Sequence, residues 1–339
     1  MEGNKYLRLA VALIVIFIAG IVLKAAREVI YPFFLAVFIS YVFDPIIGFL
    51  IRLGLPKRVA IVLVLMGFFV LLMVGGFVVY SSGRTLAAEL PRFTERFAEL
   101  TAKLEKSLGG LPLMERAASY LSKIKIENVA TFVMGTLGSA AGLTARLLAL
   151  FLFLGLIVAG RGRAADKIRR ALSPERSAQV LDAVENIDSQ VRKYLVIKTV
   201  MSLANGLMVW IVLAAFGVEF ALIFGFLAFL LNFIPNVGSL VATVLRVGFA
   251  LFQFGTIWIP LWILVITVGL DTAMGSLIEP RLMGKGLGLS PVVIFFALLF
   301  WGWLWGIPGV IMAVPLVAVV KIVCQNVPAL RPAAVLMSS

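Results

Sequence analysis

The chain has 339 residues, of which 62% are hydrophobic and only 14% charged, with a mean hydropathy of +1.09. Soluble domains run nearer roughly 45–50% apolar with about a quarter charged, so an ordinary soluble globule is excluded. The lack of histidine and the single Cys324 exclude an internal disulfide framework and any His- or Cys-based metal site. A net charge of +13 lies mostly in short connectors, where it orients membrane spans; no nucleic-acid-reading motif accompanies it.

The predicted elements are apolar blocks, about eight in all. The first, 7–26, has its apolar run over Leu9–Leu23, which follows Lys5 and Arg8 and is flanked at its end by Lys24 and Arg27. It lacks a small-residue cleavage site and reads as an uncleaved span. Blocks 29–51 and 59–80 each suit one crossing, because a core of roughly 30 Å takes about 20 helical residues. Asp44 precedes Pro45 in the first of these and reads as a cap at a helix break, the alternative being a proton-linked carboxylate.

Residues 84–127 interrupt the pattern with eight basic and six acidic side chains. Leu86, Leu90, Phe93, Phe97, Leu100, Leu104 and Leu108 recur at spacings of three and four, an amphipathic helix that ends at Gly109-Gly110. It either packs on its own subunit or meets its copies in a homo-oligomer. Block 129–159 follows. Next comes a basic stretch, 161–193, opening with "RGRAADKIRR". Its second helix carries Val180, Val184, Ile187, Val191 and Tyr194 on one face, with Ser173 as cap and Pro174 in the first turn. Strong positive charge places it in the cytoplasm, which puts 84–127 outside and the amino terminus inside.

Four further blocks run over 198–216, 220–254, 257–278 and 291–323. The second and fourth are too long for one crossing, and each is broken near its middle: "IPNVG" (234–238) and "GIPG" (306–309). A break leaves backbone groups without partners at several kcal/mol each, so it must face protein or water rather than lipid. Two geometries fit, a kinked span or a re-entrant hairpin. Hairpins keep Arg281, Lys285, Lys321 and Arg331 inside and are favoured.

The fold class is therefore an all-α polytopic membrane protein with two broken, re-entrant blocks and a small extracytoplasmic helical insertion. Its organisation reads as a three-span part (1–83), the insertion (84–128), a fourth span (129–160), a cytoplasmic amphipathic segment (161–197), a transport core (198–323) and a cytoplasmic tail (324–339).

Ionisable groups inside apolar blocks mark pathways in membrane proteins. Thr267, Asp271, Gly275 and Glu279 recur every fourth residue, with Thr272 and Ser276 widening that face. This reads as a helix lining a solute path around Asp271, or as a polar seam against another helix. Arg246, alone in "ATVLRVGFALF", pairs with Asp271, binds an anionic group or, the leading reading, snorkels to an interface. Asn232 and Asn236, beside Pro235 and Gly238, ligate a polar solute or a sodium ion, or merely satisfy the broken helix. Pro308 holds the matching position in the second break. Gly138/Gly142 and Gly302/Gly306 allow close helix contact. Trp301, Trp303 and Trp305 read as interfacial or packing aromatics. With no P-loop, nucleophile elbow or metal set, neither an enzyme nor a bound cofactor is expected.

From Tyr194 onward, "YLVIKTVMSLANGL", "NFIPNVGSLVAT", "ALFQFGT" and "IEPRLMGKGLGLSPVVIFFALLFWGWLWGIPGVIMAVPLVAVVKI" resemble the autoinducer-2 exporter family of bacterial inner-membrane permeases. Upstream, "FISYVFDPIIGFLIRLGLPKR" and "ALSPERS" extend the resemblance more loosely over nearly the whole chain. It implies eight spans with both termini cytoplasmic, and export of autoinducer-2, a small polyhydroxylated furanosyl-type compound; some members are described as sodium(lithium)/proton antiporters. Arg246 and Ser276 depart from the family pattern, which has proline and asparagine there. The combined expectation is a secondary transporter of a small polar solute, driven by an ion or proton gradient, in a bacterial cytoplasmic membrane. A sodium(lithium)/proton antiporter and a non-transporting membrane scaffold are the alternatives.

Overall fold

The structure is a computed structural model that describes residues 20–77, 140–160, 163–234, 237–283 and 288–338, with Val11, Ile18, Ser81 and Thr85. The amphipathic helix expected over 86–108, together with Gly138, Pro235, Asn236 and Lys285, lies outside the described residues.

Helices follow in chain order as α1 Arg27–Arg52, α2 Lys57–Phe77, α3 Ala140–Gly160, α4 Arg163–Ala171, α5 Pro174–Ala215, α6 Ala221–Leu231, α7 Val237–Phe254, α8 Trp258–Met283, α9 Pro291–Trp305, α10 Ile307–Asn326 and the short α11 Arg331–Leu336. Among the described residues β pairing is limited to one antiparallel bridge, Leu289–Ser338. Among the described residues six helices (α1, α2, α5, α7, α8 and α10) are long and apolar enough to cross a membrane. Their amphipathicity is inverted. Leu148, Leu152 and Leu156 of α3 and Phe295, Phe296 and Leu299 of α9 stand exposed, while Arg246, Lys321, Thr267, Ser40 and Ser202 are buried. Water would not tolerate that much apolar surface, whereas lipid supplies its natural contact. The polar groups turn inward because only protein can satisfy them there.

The chain forms two compact units: residues 1–64, 144–199 and 280–339, and residues 65–143 and 200–279. In the first, Phe38 of α1, Val191, Tyr194 and Leu195 of α5, and Leu304, Trp305, Met312, Leu316 and Ile322 of α9 and α10 make the core. Helices α9 and α10 are antiparallel halves of a hairpin. Gly306 makes the turn with φ +68°, a left-handed conformation that glycine adopts without penalty. Pro308 sits in the first turn of α10, where a missing N–H costs nothing. At the open end, Lys321 Nζ donates to the Gly288 carbonyl at 2.8 Å, and Ser290 N–H donates to Met337 O at 3.0 Å.

The cap expected of Asp44 does not form, because α1 runs unbroken through Pro32 and Pro45. A proline removes one hydrogen bond, and away from water the helix has no better way to satisfy the rest. The Asp44 carboxylate instead faces Arg192 Nε of α5 at 3.6 Å, and Arg192 also pairs with Asp188.

In the second unit, α6 and α7 form another antiparallel hairpin. Phe224 packs tilted and Phe220 edge-on against Phe249, with ring centroids 5.2 and 5.8 Å apart. Gln253 clasps the open end: its Nε2 donates to Gly217 O and its Oε1 accepts from Glu219 N–H, both at 2.8 Å. Val209, Leu213, Val218, Ala221, Ala228, Ala250 and Ile263 fill the core. Where α5 crosses α6, a Cβ built on Gly206 would lie 2.7 Å from Gly225 O, so only glycine permits this approach.

At the hairpin tip, a Cβ on Gly238 would collide with the Leu231 carbonyl and lie 3.2 Å from Ile234 Cβ, whereas one on Gly248 of the same helix meets nothing within 4 Å. Gly238→Ala is expected to cost about 1–3 kcal/mol of stability through overpacking. Gly248→Ala should be neutral or should stabilise by up to about 1 kcal/mol. Unfolding in mixed micelles measures both, and equal effects would show that the tip is not as tight as drawn.

Candidate functional site

Helices α7 and α8 pack side by side in the second unit, and their contact holds a buried ion pair. Arg246 lies near the middle of α7, about 12 Å along the axis from its nearer end at 1.5 Å per residue. That distance exceeds the reach of an arginine side chain. The snorkelling reading is therefore overturned: Arg246 turns inward, with 1% of its side chain exposed. Its Nη2 donates to Asp271 Oδ2 at 2.6 Å and to Thr243 Oγ1 at 2.7 Å. Thr243 stands one turn back on α7, the spacing that lets an i, i+3 pair meet.

Asp271 comes from the α8 face that also buries Pro260, Ile263, Thr267 and Met274. Thr267 is fully buried and its hydroxyl donates to Ile263 O at 2.6 Å, so it is satisfied within its own helix. Directly after Thr272 the helix widens into a π segment, Ala273–Ile278. Such bulges are uncommon and often mark functional positions. The widening also changes which residues share a face. The expected stripe holds at Thr267 and Asp271, but Thr272, Gly275 and Ser276 are exposed and Glu279 is half-buried. An i, i+4 repeat predicts one face only while the helix keeps 3.6 residues per turn.

The pair is incompletely satisfied. Arg246 Nε and Asp271 Oδ1 are both buried and find no hydrogen-bond partner among the described residues. The carboxylate therefore engages the guanidinium through one oxygen, although both groups are built for two-point contact. Among the described residues of this unit the other ionisable groups are Glu219 and Glu279, which makes Arg246 the one described cation. A buried cation needs its counter-charge: removing one partner of such a pair costs about 3–5 kcal/mol.

A second polar cluster lies where α5 meets the end of α6. Asn232 Nδ2 donates to the fully buried Ser202 Oγ at 3.0 Å. Asn205, 3% exposed, leaves Oδ1 without a donor. Asn232 thus spends its amide nitrogen on the protein, and its expected partner in ion ligation, Asn236, is outside the described residues. Gly238 is buried and serves the tight turn between Leu231 and α7. Pro308 and Asp44 belong to the first unit, in the α9–α10 turn and opposite Arg192 respectively. Sequence reasoning missed Thr243, Ser202 and Asn205. The last two were legible as polar residues three apart within the apolar run "VMSLANGL". Among the described residues, no group of three or more Cys, Asp or Glu side chains is placed to hold a metal ion.

Lipid-facing leucines, inward charges and helices broken into hairpins define a multi-pass membrane protein of the transporter class. The chain belongs to the AI-2E family transporters, whose sequence pattern matches residues 11–329. It is 32% identical over 342 residues to the AI-2 transport protein TqsA of Escherichia coli strain K12, covering 100% of this chain and 96% of that protein. It is also 30% identical to the putative transport protein YhhT of the same strain, covering 95% of this chain and 90% of the relative. A putative transport protein of Haemophilus influenzae is 30% identical, with coverages of 97% and 95%.

Proposed function

We propose that this chain is a secondary transporter of the bacterial cytoplasmic membrane that exports a small polar solute at the expense of an ion or proton gradient. The observation carrying the reading is the Arg246–Asp271 pair, buried among helices whose outer faces are hydrocarbon. Charge at bilayer depth is costly and persists where it serves a path or a bound solute. The solute route passes this pair along the α8 face that carries Thr267 and Asp271. The hairpin tip contributes Asn232 and Gly238. Basic connectors keep both termini in the cytoplasm.

The name of the TqsA relative makes autoinducer-2 the first solute to test. Purified full-length protein in proteoliposomes, given an imposed pH or sodium gradient, should move labelled autoinducer-2 faster than protein-free vesicles do. Sodium- or lithium-for-proton exchange without solute flux would instead identify an antiporter. Absence of every catalysed flux would overturn the transport reading in favour of a scaffold.

A further inference from the structure

We propose that Arg246 is an anion-recognition residue and that Asp271 occupies, in this structure, the place of a small carboxylate- or phosphate-bearing solute. The inference rests on the transport reading above and names a substrate class for the same site. Three observations carry it. The guanidinium is 1% exposed, yet its Nε has no acceptor among the described residues. Asp271 meets it through Oδ2 alone and leaves Oδ1 without a donor. Thr243 takes the second hydrogen of Nη2, which fixes the plane of the fork.

A planar guanidinium presents Nε–H and Nη2–H in parallel, a geometry matched by the two oxygens of a carboxylate or by two phosphate oxygens. Asp271 fills half of that offer. A free anion not tethered to a helix can fill both positions and so compete with it. Depth makes the exchange feasible in one direction. Asp271 is 10% exposed against 1% for Arg246, so the carboxylate lies at the rim and can swing aside while the cation stays in place. Every anion that enters replaces one carboxylate on the guanidinium, and Arg246 is never left without a counter-charge. Among the described residues, the charged groups facing this point from the packed elements are Arg246 on α7 and Asp271 on α8. Glu219 stands at the far, Gln253 end of the α6–α7 hairpin and takes no part.

The exchange makes an unusual demand: neutralising the tethered competitor must strengthen anion binding. Full-length wild type, Asp271→Asn and Arg246→Lys are reconstituted in phosphatidylcholine nanodiscs. Each is titrated with L-lactate and with inorganic phosphate at matched ionic strength, and thermal stabilisation is followed. Expected are a saturable shift in wild type, affinity at least tenfold tighter in Asp271→Asn, and affinity at least tenfold weaker in Arg246→Lys, which keeps the charge but not the fork. Equal responses in all three proteins would be a general salt effect and would overturn the proposal. So would an Asp271→Asn protein that binds no tighter, or a shift seen only when phosphatidylglycerol is added, which would assign the fork to a lipid headgroup. Catalysed flux of an uncharged solute without anion binding would sink the anion site and leave transport standing. Anion binding without any catalysed flux would do the reverse.

Discussion

Replacing Asp271 with Asn is expected to lower catalysed flux to the leak of protein-free vesicles, while the protein still inserts and purifies as a single species. The substitution is close to isosteric, and the amide oxygen can still accept from Arg246 Nη2 at the 2.6 Å position. Local packing of α7 on α8 therefore changes little. What disappears is the negative charge. Arg246 then keeps a full positive charge at 1% exposure, and any available anion is held rather than exchanged. A transporter must release what it binds, so tighter binding and lost turnover go together here. The measurement is initial-rate flux with wild type and variant reconstituted at equal density. Undiminished coupled flux in Asp271→Asn would remove Asp271 from the mechanism.

Much of the architecture was legible in the sequence because bilayer physics is strict. Runs of apolar residues mark the helices, and "IPNVG" and "GIPG" stand where helices stop, since proline and glycine interrupt a backbone that lipid cannot rescue. The hairpins that result are closed by Gln253 in one case and by Lys321 in the other. Neither clasp could be read beforehand, because each joins residues more than thirty positions apart. Asp271 stood out as an isolated carboxylate. Arg246 stood out as well, with pairing to Asp271 among its readings, but snorkelling led, because the rotation of α7 against α8 decides whether Arg246 points inward, and side-chain packing sets that rotation. The π segment after Thr272 was also invisible: nothing in "TAMGSLI" distinguishes a wide turn from an ordinary one. Asp44 differs for the opposite reason: the local cap rule at Pro45 yields to tertiary contact with Arg192.

Removing the other partner should have the larger effect on folding. Arg246→Met leaves Asp271 buried with neither its ion pair nor its hydrogen bond, and the expected loss is about 3–5 kcal/mol. Asp271→Asn should cost less, because asparagine retains the hydrogen bond and a buffer anion can neutralise the arginine. The double variant Arg246→Met/Asp271→Leu removes both charges together. Replacing a whole buried pair with apolar side chains is often neutral or stabilising by about 1–4 kcal/mol, so it should recover most of the loss while transporting nothing. Equilibrium unfolding of wild type, Arg246→Met, Asp271→Leu and the double variant closes a double-mutant cycle whose coupling term isolates the pair. Stability regained without flux would mean that these charges are retained for what passes between them rather than for holding α7 to α8. A cost below about 1 kcal/mol for Arg246→Met, the range of solvent-exposed pairs, would place the pair in water, and the inward-facing site would then have to be abandoned.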